Sequence, residues 1–335
     1  MRTHITNLYG QAPQSTALIA QNMVADVAKT LGFNEIGIYS YPVHTDTDSE
    51  VRKRIDGMIA GVGADDLVVA QFPSWNSIEF DDLLVNKLLS YSEVKVAIFI
   101  HDVIPLMFEN NYYLMGKFIA LCNKSEVIIV PTEKMLNRLR KEGLTVSKVV
   151  IQNLWDHTTA IQYKQPKFSK LINFAGAVTR FPFVKDWHYQ TPLRVFSNID
   201  EPVTAQNVEF SGWIPDDEMM LQLSQGFGLV WSEQIENQNE REYSTYNLSY
   251  KLSTYLAAGI PLIVNRGIST QKFIEDNHLG FVVDSLSEAS EIVQNMTEKE
   301  YADLATNVKQ VSYIIRNGYF TKKLLIDTVH AAFTK

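Results

Sequence analysis

The amino-acid sequence predicts an α/β fold built from two doubly wound domains. Predicted strands and helices alternate along the chain, a pattern typical of parallel sheets covered by helices on both faces. The 335 residues are more than one ordinary core accommodates. A polar stretch at 155–169, containing Gln165 and Pro166, divides the alternation into two series. We therefore expect one domain at 1–158 and a second at 166–315.

The composition is that of a globular protein. Apolar residues make up 46% and charged residues 20% of the chain, and we see no apolar run of about 18 residues and no leader peptide. We expect a cytoplasmic protein without an integral membrane segment. Cys122 is the single cysteine, which excludes an internal disulfide framework and fits a reducing compartment. The net charge of −8 argues against nucleic-acid binding.

The first domain is predicted to alternate six short apolar strands with helices. The first helix has an apolar stripe at helical spacing, and the helix at 132–142 has Thr132 as its N-cap and Gly143 as its stop. The strands are at 3–7, 35–39, 66–70, 95–100, 126–131 and 148–152. The longer helices are at 16–31, 80–89, 111–122 and 132–142.

Three loops of the first domain carry candidate site residues. Thr16 opens the first helix, where it either contacts a ligand or belongs to the cap. The preceding loop lacks G-x-G-x-x-G, so we expect no dinucleotide site and no nicotinamide oxidoreductase. Phe72 and Trp75 follow the third strand, where they either stack on an acceptor sugar or pack in the core. His101 and Asp102 follow the fourth strand as candidate acid/base residues, and the alternative is a structural histidine.

The second domain repeats the alternation. Strands are predicted at 171–176, 193–197, 208–215, 227–231, 262–264 and 280–283. Helices are predicted at 216–223, 249–258, 271–277, 287–295, 299–315 and 319–333. Residues 232–245 (SEQIENQNEREYST) are polar and acidic, which is typical of a mobile loop that closes on a ligand, although an ordinary exposed loop has the same composition.

A cationic site is predicted in this second half. The stretch YNLSYKLSTYLAAGIPLIV at 246–264 has helical spacing, then Gly259 and Pro261 as a stop, then a buried strand. Amides at a helix N-terminus, together with Lys251, favour a diphosphate. Arg180 follows the strand that ends at Gly176 and suits the same ligand. The alternative for both residues is an ordinary solvated cation.

These patterns resemble those of GT-B glycosyltransferases. More narrowly, the chain is similar to the bacterial glucosyltransferases that extend O-linked GlcNAc on serine-rich-repeat adhesins. The stretches that carry the similarity are HITNLYGQAPQSTALIAQNMVADVAKTLGF, VAIFIHDVIPLMF, NFAGAVTRFPF, QGFGLVW and SYKLSTYLAAGIP. The resemblance implies two Rossmann-like domains facing across a cleft, with a C-terminal helix (316–335) returning to the first domain.

The resemblance also implies an activity and partners. The enzyme would be a cytosolic hexosyltransferase that moves glucose from UDP-glucose to GlcNAc on Ser or Thr of the adhesin. It would act after the enzyme pair that attaches GlcNAc and would form a homo-oligomer, with a tetramer favoured. UDP-GlcNAc or UDP-galactose as donor, or a non-catalytic UDP-sugar-binding scaffold subunit, are the alternatives. The sequence leaves the stereochemistry open.

The same resemblance assigns residues to the donor. Thr16 and Arg180 would contact its phosphates, Trp213 and Ile214 would flank the uracil, and Tyr246, Asn247, Tyr250 and Lys251 would surround the ribose and phosphates. Many relatives carry a ribose-binding Glu where this chain has Thr254, and Glu233 and Glu236 are the candidates for their sugar-facing Glu. Because Lys251, Arg180 and the helix amides would stabilise the charge on the leaving diphosphate, we expect metal independence and no cofactor.

Overall fold

The chain forms two compact units. A computed structural model describes residues 1–199, 205–233 and 238–334. One unit comprises 1–153 with 320–335, and the other comprises 154–319. The expected boundary at 158 falls inside the second unit, because Trp155 donates its indole N–H to the carbonyl of Leu248 at 3.3 Å. His157 is held there too, since its Nε2 lies 3.0 Å from Oδ2 of Asp216.

The first unit contains a six-stranded parallel sheet. Its third, fourth and fifth strands in chain order are almost continuous apolar runs, as expected of strands that are covered on both faces, whereas the second alternates buried and more exposed residues. In chain order they are β1 (Thr3–Tyr9), β2 (Asn34–Tyr39), β3 (Leu67–Phe72), β4 (Lys95–Ile100), β5 (Val127–Val130) and β6 (Val149–Ile151). The spatial order is β2-β1-β3-β4-β5-β6, and every neighbouring pair is parallel. The strand order therefore reverses between β1 and β3.

Helices connect these strands. They are α1 (Thr16–Thr30), α2 (Asp48–Met58), α3 (Ile78–Leu89), α4 (Ile104–Met107), α5 (Met115–Cys122) and α6 (Glu133–Lys141). Three of these helices begin at a capping side chain. The side chains of Ser15, Ser77 and Thr132 each accept a hydrogen bond from a backbone amide in the first turn. The helix expected at 111–122 begins as a 3₁₀ segment, Glu109–Leu114, and becomes α-helical only at Met115.

The second unit contains another six-stranded parallel sheet. Its strands are β7 (Lys167–Ala175), β8 (Leu193–Phe196), β9 (Val208–Phe210), β10 (Gln225–Val230), β11 (Leu262–Asn265) and β12 (Gly280–Val283). The spatial order is β12-β11-β10-β7-β8-β9, again with parallel neighbours. The order reverses between β7 and β10, and ligands bind at such reversals in open α/β sheets. The two parallel sheets confirm the predicted fold class.

Six helices accompany the second sheet in the described part of the chain. They are α7 (Asp216–Gln222), α8 (Gln238–Tyr246), α9 (Tyr250–Ala258), α10 (Gln271–Asp276), α11 (Leu286–Asn295) and α12 (Glu298–Arg316). Helix α8 is a correction, since residues 232–245 were predicted to form a loop throughout. The helix α9 ends as predicted, with Gly259 at φ +87° in the left-handed region.

The last helix, α13 (Tyr319–Phe333), agrees with the predicted segment and belongs to the first unit from residue 320 onward. Thr321 lies 4.0 Å from the sulfur of Met23 on α1, and the Lys95 amine lies 5.7 Å from the centre of the Phe333 ring. The chain therefore returns to its first unit at the C-terminus, as the resemblance implied.

None of the helices in the described ranges combines the length and the apolar character needed to cross a bilayer. In the same ranges, no three His, Cys, Asp or Glu side chains form a group that could hold a metal ion.

Candidate active site

The strongest candidate site lies at the carboxyl end of the second sheet, where the strand order reverses. The loop after β7 carries Gly176 and Arg180, and the segment after β10 begins at Trp231. Helix α9 runs back toward the amino end of β11, so its N-terminus lies at the carboxyl edge of the sheet. The N–H groups of its first turn have no partner within the helix and point outward from that end.

Lys251 lies in the first turn of α9 and rests on two aromatic rings. Its amine is 4.2 Å from the centre of the Phe181 ring and 4.8 Å from that of Phe174. With the other described residues it forms no hydrogen bond and no ion pair. Burial, and secondly the charge of Arg180, lower the pKa of Lys251 to about 7. The amine is thus a partly desolvated cation that an anionic ligand would stabilise.

Arg180 shares one of these rings with Lys251. Its guanidinium carbon is 5.5 Å from the centre of the Phe181 ring, and the side chain is exposed. The structure therefore brings together two cations that are 71 positions apart in the sequence. Phe174 and Phe181 meet edge to face at 5.1 Å between ring centres and form the platform for both. Sequence reasoning named the two cations and missed this aromatic platform.

Tyr250 packs against two neighbouring rings. Its ring centre lies 6.1 Å from that of Trp155 and 5.6 Å from that of His157. Burial, followed by the charges of Asp216 and Asp156, raises the pKa of the Tyr250 phenol. Ser249 is the N-cap residue of α9 and has an extended conformation, but its side chain makes no capping hydrogen bond.

Tyr246 and Asn247 form the turn between α8 and α9. The Tyr246 hydroxyl donates to Oε1 of Glu242 at 2.7 Å. The Asn247 side chain donates to the Tyr243 hydroxyl at 3.0 Å and accepts from the amide of Leu248 at 2.8 Å. These bonds fix the turn immediately before the Lys251 helix.

Thr254 is turned inward. It is 2% exposed, and its hydroxyl oxygen is 3.2 Å from Nδ1 of His157. His157 itself is 1% exposed and contacts Asp216 through its other nitrogen. Thr254 therefore links α9 to His157 and, through it, to α7. Sequence reasoning did not identify His157, because the contact spans 97 positions.

The start of the segment after β10 is held by Asn265, the last residue of β11. The amide and the hydroxyl of Ser232 both donate to Asn265 Oδ1, at 3.0 and 3.1 Å. Asn265 in turn donates to Oε1 of Glu233 at 3.3 Å, and Ser244 donates to the Ser232 hydroxyl at 2.9 Å. Glu233 is therefore oriented by a buried amide, whereas Glu236, the other candidate for a sugar-facing carboxylate, lies outside the described residues.

Trp213 and Ile214 lie in the turn between β9 and α7. The backbone N–H of Trp213 donates to Oδ1 of Asn198 at 2.9 Å, and Gly212 before it has φ +73°. Trp213 is 43% exposed and Ile214 is half-buried. An exposed indole at the carboxyl edge of this sheet is available for stacking against a planar ring.

In the first unit, Thr16 at the start of α1 and Trp75 in the loop after β3 follow the two strands between which the strand order reverses. Thr16 is the exposed first residue of α1, after the capping Ser15. Trp75 is half-buried with φ +62°, and the described residues provide no hydrogen-bond partner for its indole N–H. Asn76 next to it binds the backbone of Tyr39 and Tyr41, which fixes the loop. A tryptophan in this strained conformation is a feature typical of ligand-binding loops.

Two other candidates of the first unit are buried. Phe72 is 2% exposed within β3, which agrees with the alternative of core packing and leaves little of its ring open for stacking. His101 is 4% exposed beside Phe99, with 4.5 Å between ring centres. Burial lowers the pKa of His101 to about 3, which makes the imidazole a weak base. Asp102, half-buried at the carboxyl end of β4, is the better placed of the two.

Comparisons with known proteins identify the family. The model of the glucosyltransferase 3-like N-terminal domain matches residues 2–154, and that of the glucosyltransferase 3-like C-terminal domain matches 172–328. Glucosyltransferase 3 of Streptococcus gordonii is 48% identical over 98% of both chains. Glucosyltransferase 3 of Streptococcus parasanguinis is 46% identical over 99% of both. The structure of HepE from Anabaena in complex with UDP superimposes with a TM-score of 0.65 at 11% identity, covering 99% of this chain and 100% of HepE.

The two doubly wound units have the fold of the GT-B glycosyltransferases. The chain belongs to the glucosyltransferase 3-like family and is a hexosyltransferase. The non-catalytic scaffold that the sequence left open is thereby set aside.

Proposed function

We propose that this enzyme transfers glucose from UDP-glucose to a GlcNAc residue that is O-linked to Ser or Thr of a serine-rich-repeat adhesin. The observation that carries the donor half of the proposal is the position of Lys251 and Arg180 on the Phe181 ring, at the N-terminus of α9. Two 46–48% identical relatives bear the name glucosyltransferase 3, and HepE was crystallised with UDP, which supports a UDP-glucose donor. The acceptor rests on the family resemblance.

The reaction breaks the bond between glucose C1 and the β-phosphate oxygen and forms a bond from C1 to an acceptor hydroxyl oxygen. The electron pair of the broken bond stays on UDP. Lys251, Arg180 and the first amides of α9 would stabilise this growing charge, the role that a metal ion plays in other transferases. We therefore propose a metal-independent enzyme. Trp213 and Ile214 would flank the uracil, the turn at Tyr246–Tyr250 would lie beside the ribose and phosphates, and Thr16 would add a phosphate contact.

On the acceptor side we propose Trp75 as the stacking residue and Asp102 as the base. If the reaction inverts the anomeric centre, the Asp102 carboxylate takes the proton of the acceptor hydroxyl. We propose further that the enzyme is a cytoplasmic homo-oligomer.

The diphosphate assignment is tested by calorimetric titration of UDP into Lys251→Ala and Arg180→Ala. We expect each substitution to weaken UDP binding roughly 10- to 100-fold, since each removes a charge-assisted contact. Lys272→Ala is the matched control, because Lys272 is an exposed lysine of the same unit that pairs with Asp276 at 2.8 Å. Unchanged UDP affinity in both site variants would remove the assignment.

The substrates are tested by mass spectrometry of a GlcNAc-modified serine-rich peptide after incubation with a panel of UDP-sugars. We expect a mass increase of one hexose with UDP-glucose. A larger yield with UDP-galactose or UDP-GlcNAc would replace the donor assignment. The unmodified peptide is the control, and its modification would overturn the assigned acceptor.

A further inference from the structure

A buried tyrosine lies one helical turn after Lys251. Tyr255 is fully buried on α9, and positions four apart on a helix share a face. The backbone N–H of Ala175 donates to the Tyr255 hydroxyl oxygen at 2.7 Å, although the two residues are 80 positions apart. Ala175 is the last residue of β7, directly before the loop that carries Arg180. One hydroxyl thus connects the lysine-bearing helix to the arginine-bearing loop.

The distance between the Tyr255 ring and the backbone of β10 is also fixed. A Cβ atom added at Gly228 on β10 would lie 2.3 Å from Cγ of Tyr255, so the ring packs directly on the strand backbone. A side chain at position 228 would push the ring, and with it α9, away from the sheet. The absence of a side chain at Gly228 therefore sets how close α9 lies to β10.

The start of the loop packs against the same aromatic platform that holds Lys251. A Cβ atom added at Gly176 would lie 2.8 Å from the edge of Phe174 and 3.0 Å from Phe181. These are the two rings over which the Lys251 amine lies. Tyr255 therefore contacts the Ala175 amide, the residue after Ala175 packs on the aromatic platform, and the platform contacts Lys251. Helix α9 connects Lys251 to Tyr255, so these contacts form a continuous ring.

We propose that Tyr255 is a positioning residue for the transfer reaction, one that fixes the Lys251 amine relative to Arg180 before the nucleotide binds. Its hydroxyl acts through the Ala175 amide and touches no substrate. These contacts hold the two cations in place before the ligand binds. Binding then loses less conformational entropy, which raises the affinity for the diphosphate. This inference rests on the diphosphate site proposed above.

The test removes one oxygen atom. Tyr255→Phe keeps the ring and deletes the acceptor of the Ala175 amide. Tyr301→Phe is the matched control: Tyr301 is 2% exposed in the same unit, and its hydroxyl donates to the Gly226 carbonyl at 2.9 Å. We expect similar losses of thermal stability in the two variants. Only Tyr255→Phe should weaken UDP binding, roughly fivefold to tenfold, and raise KM for the UDP-sugar while leaving KM for the acceptor unchanged.

A double variant separates this inference from the site on which it depends. If Tyr255 acts through Lys251, the Tyr255→Phe substitution should have little further effect on UDP affinity in a Lys251→Ala background. Additive losses in the double variant, or equal losses in Tyr255→Phe and Tyr301→Phe, would overturn the positioning role alone. Unchanged affinity in both Lys251→Ala and Arg180→Ala would instead show that the diphosphate site is wrong.

Discussion

The two units share an architecture but present their candidate residues in different ways. Each has six parallel strands with one reversal of strand order. In the second unit, the cations of Lys251 and Arg180 rest on an aromatic platform at that reversal. In the first unit, Phe72 and His101 are buried, and Trp75 and Asp102 are only half-buried. The difference fits the proposed division of roles, in which the second unit binds the donor diphosphate and the first supplies a stacking ring and one carboxylate.

The largest expected effect tests the first unit. If Asp102 is the acceptor base, Asp102→Asn keeps the shape of the side chain and removes its basicity. We expect turnover to fall about 10²- to 10⁴-fold, the usual contribution of a general base, while UDP affinity stays unchanged. Steady-state kinetics and UDP calorimetry on the same preparations measure both quantities.

His101→Asn is the companion variant, since the pKa of about 3 makes the imidazole a poor base. We expect a smaller loss of turnover than with Asp102→Asn. Normal turnover in Asp102→Asn would exonerate that carboxylate and favour a retaining reaction, which does not require a base in this role.

A smaller effect concerns packing around the helix that bears Lys251. Gly228→Ala places a methyl group against the Tyr255 ring, and we expect a loss of about 1–3 kcal/mol in the free energy of unfolding. Gly57→Ala in the first unit is the comparison, because Gly57 is exposed on α2 and a Cβ atom there meets nothing within 4 Å.

We expect Gly57→Ala to stabilise the protein by about 0.5–1 kcal/mol, since alanine is the better helix former. Urea unfolding of both variants measures the contrast. Equal stability of Gly228→Ala and the natural protein would show that the close approach of α9 to β10 is not required.

The fold was predictable from the sequence because it depends on local patterns. Short apolar runs predicted most of the parallel strands, and Gly259 with Pro261 predicted the end of α9. The predicted bounds of the last helix, 319–333, are those of α13. Helix α8 was missed because its sequence, QNEREYSTY, is polar and lacks an apolar stripe to distinguish it from a loop.

The site was predictable only in part. Lys251 and Arg180 could be named from a helix start and a strand end. Their shared ring, and the bond between Tyr255 and Ala175, depend on contacts between distant segments that leave no local signal. The sequence left the burial of Phe72 and His101 open for the same reason: strand ends look alike in sequence whether or not the next layer of structure covers them.

The smallest expected effect is the change in folding stability with each unit of pH that the lowered pKa of Lys251 causes. In the folded free enzyme its pKa is lowered to about 7, whereas an unfolded lysine has a pKa of about 10.4. Between these values the unfolded state binds more protons than the folded state, so the contribution of Lys251 to stability rises with pH. The cost is complete below pH 7 and disappears as the pH approaches 10.4.

Lys251→Met removes this titration and keeps the packing volume. We expect the variant to be more stable than the natural protein at pH 6, with the difference shrinking by less than about 1.4 kcal/mol per pH unit above pH 7. Urea unfolding between pH 6 and 10 measures it, and Lys272→Met is the control, because Lys272 is exposed and paired with Asp276. A difference that stays constant with pH would mean that the cation of Lys251 is not held at a cost. In that case the second unit would not differ from the first by holding a cation that destabilises the free protein.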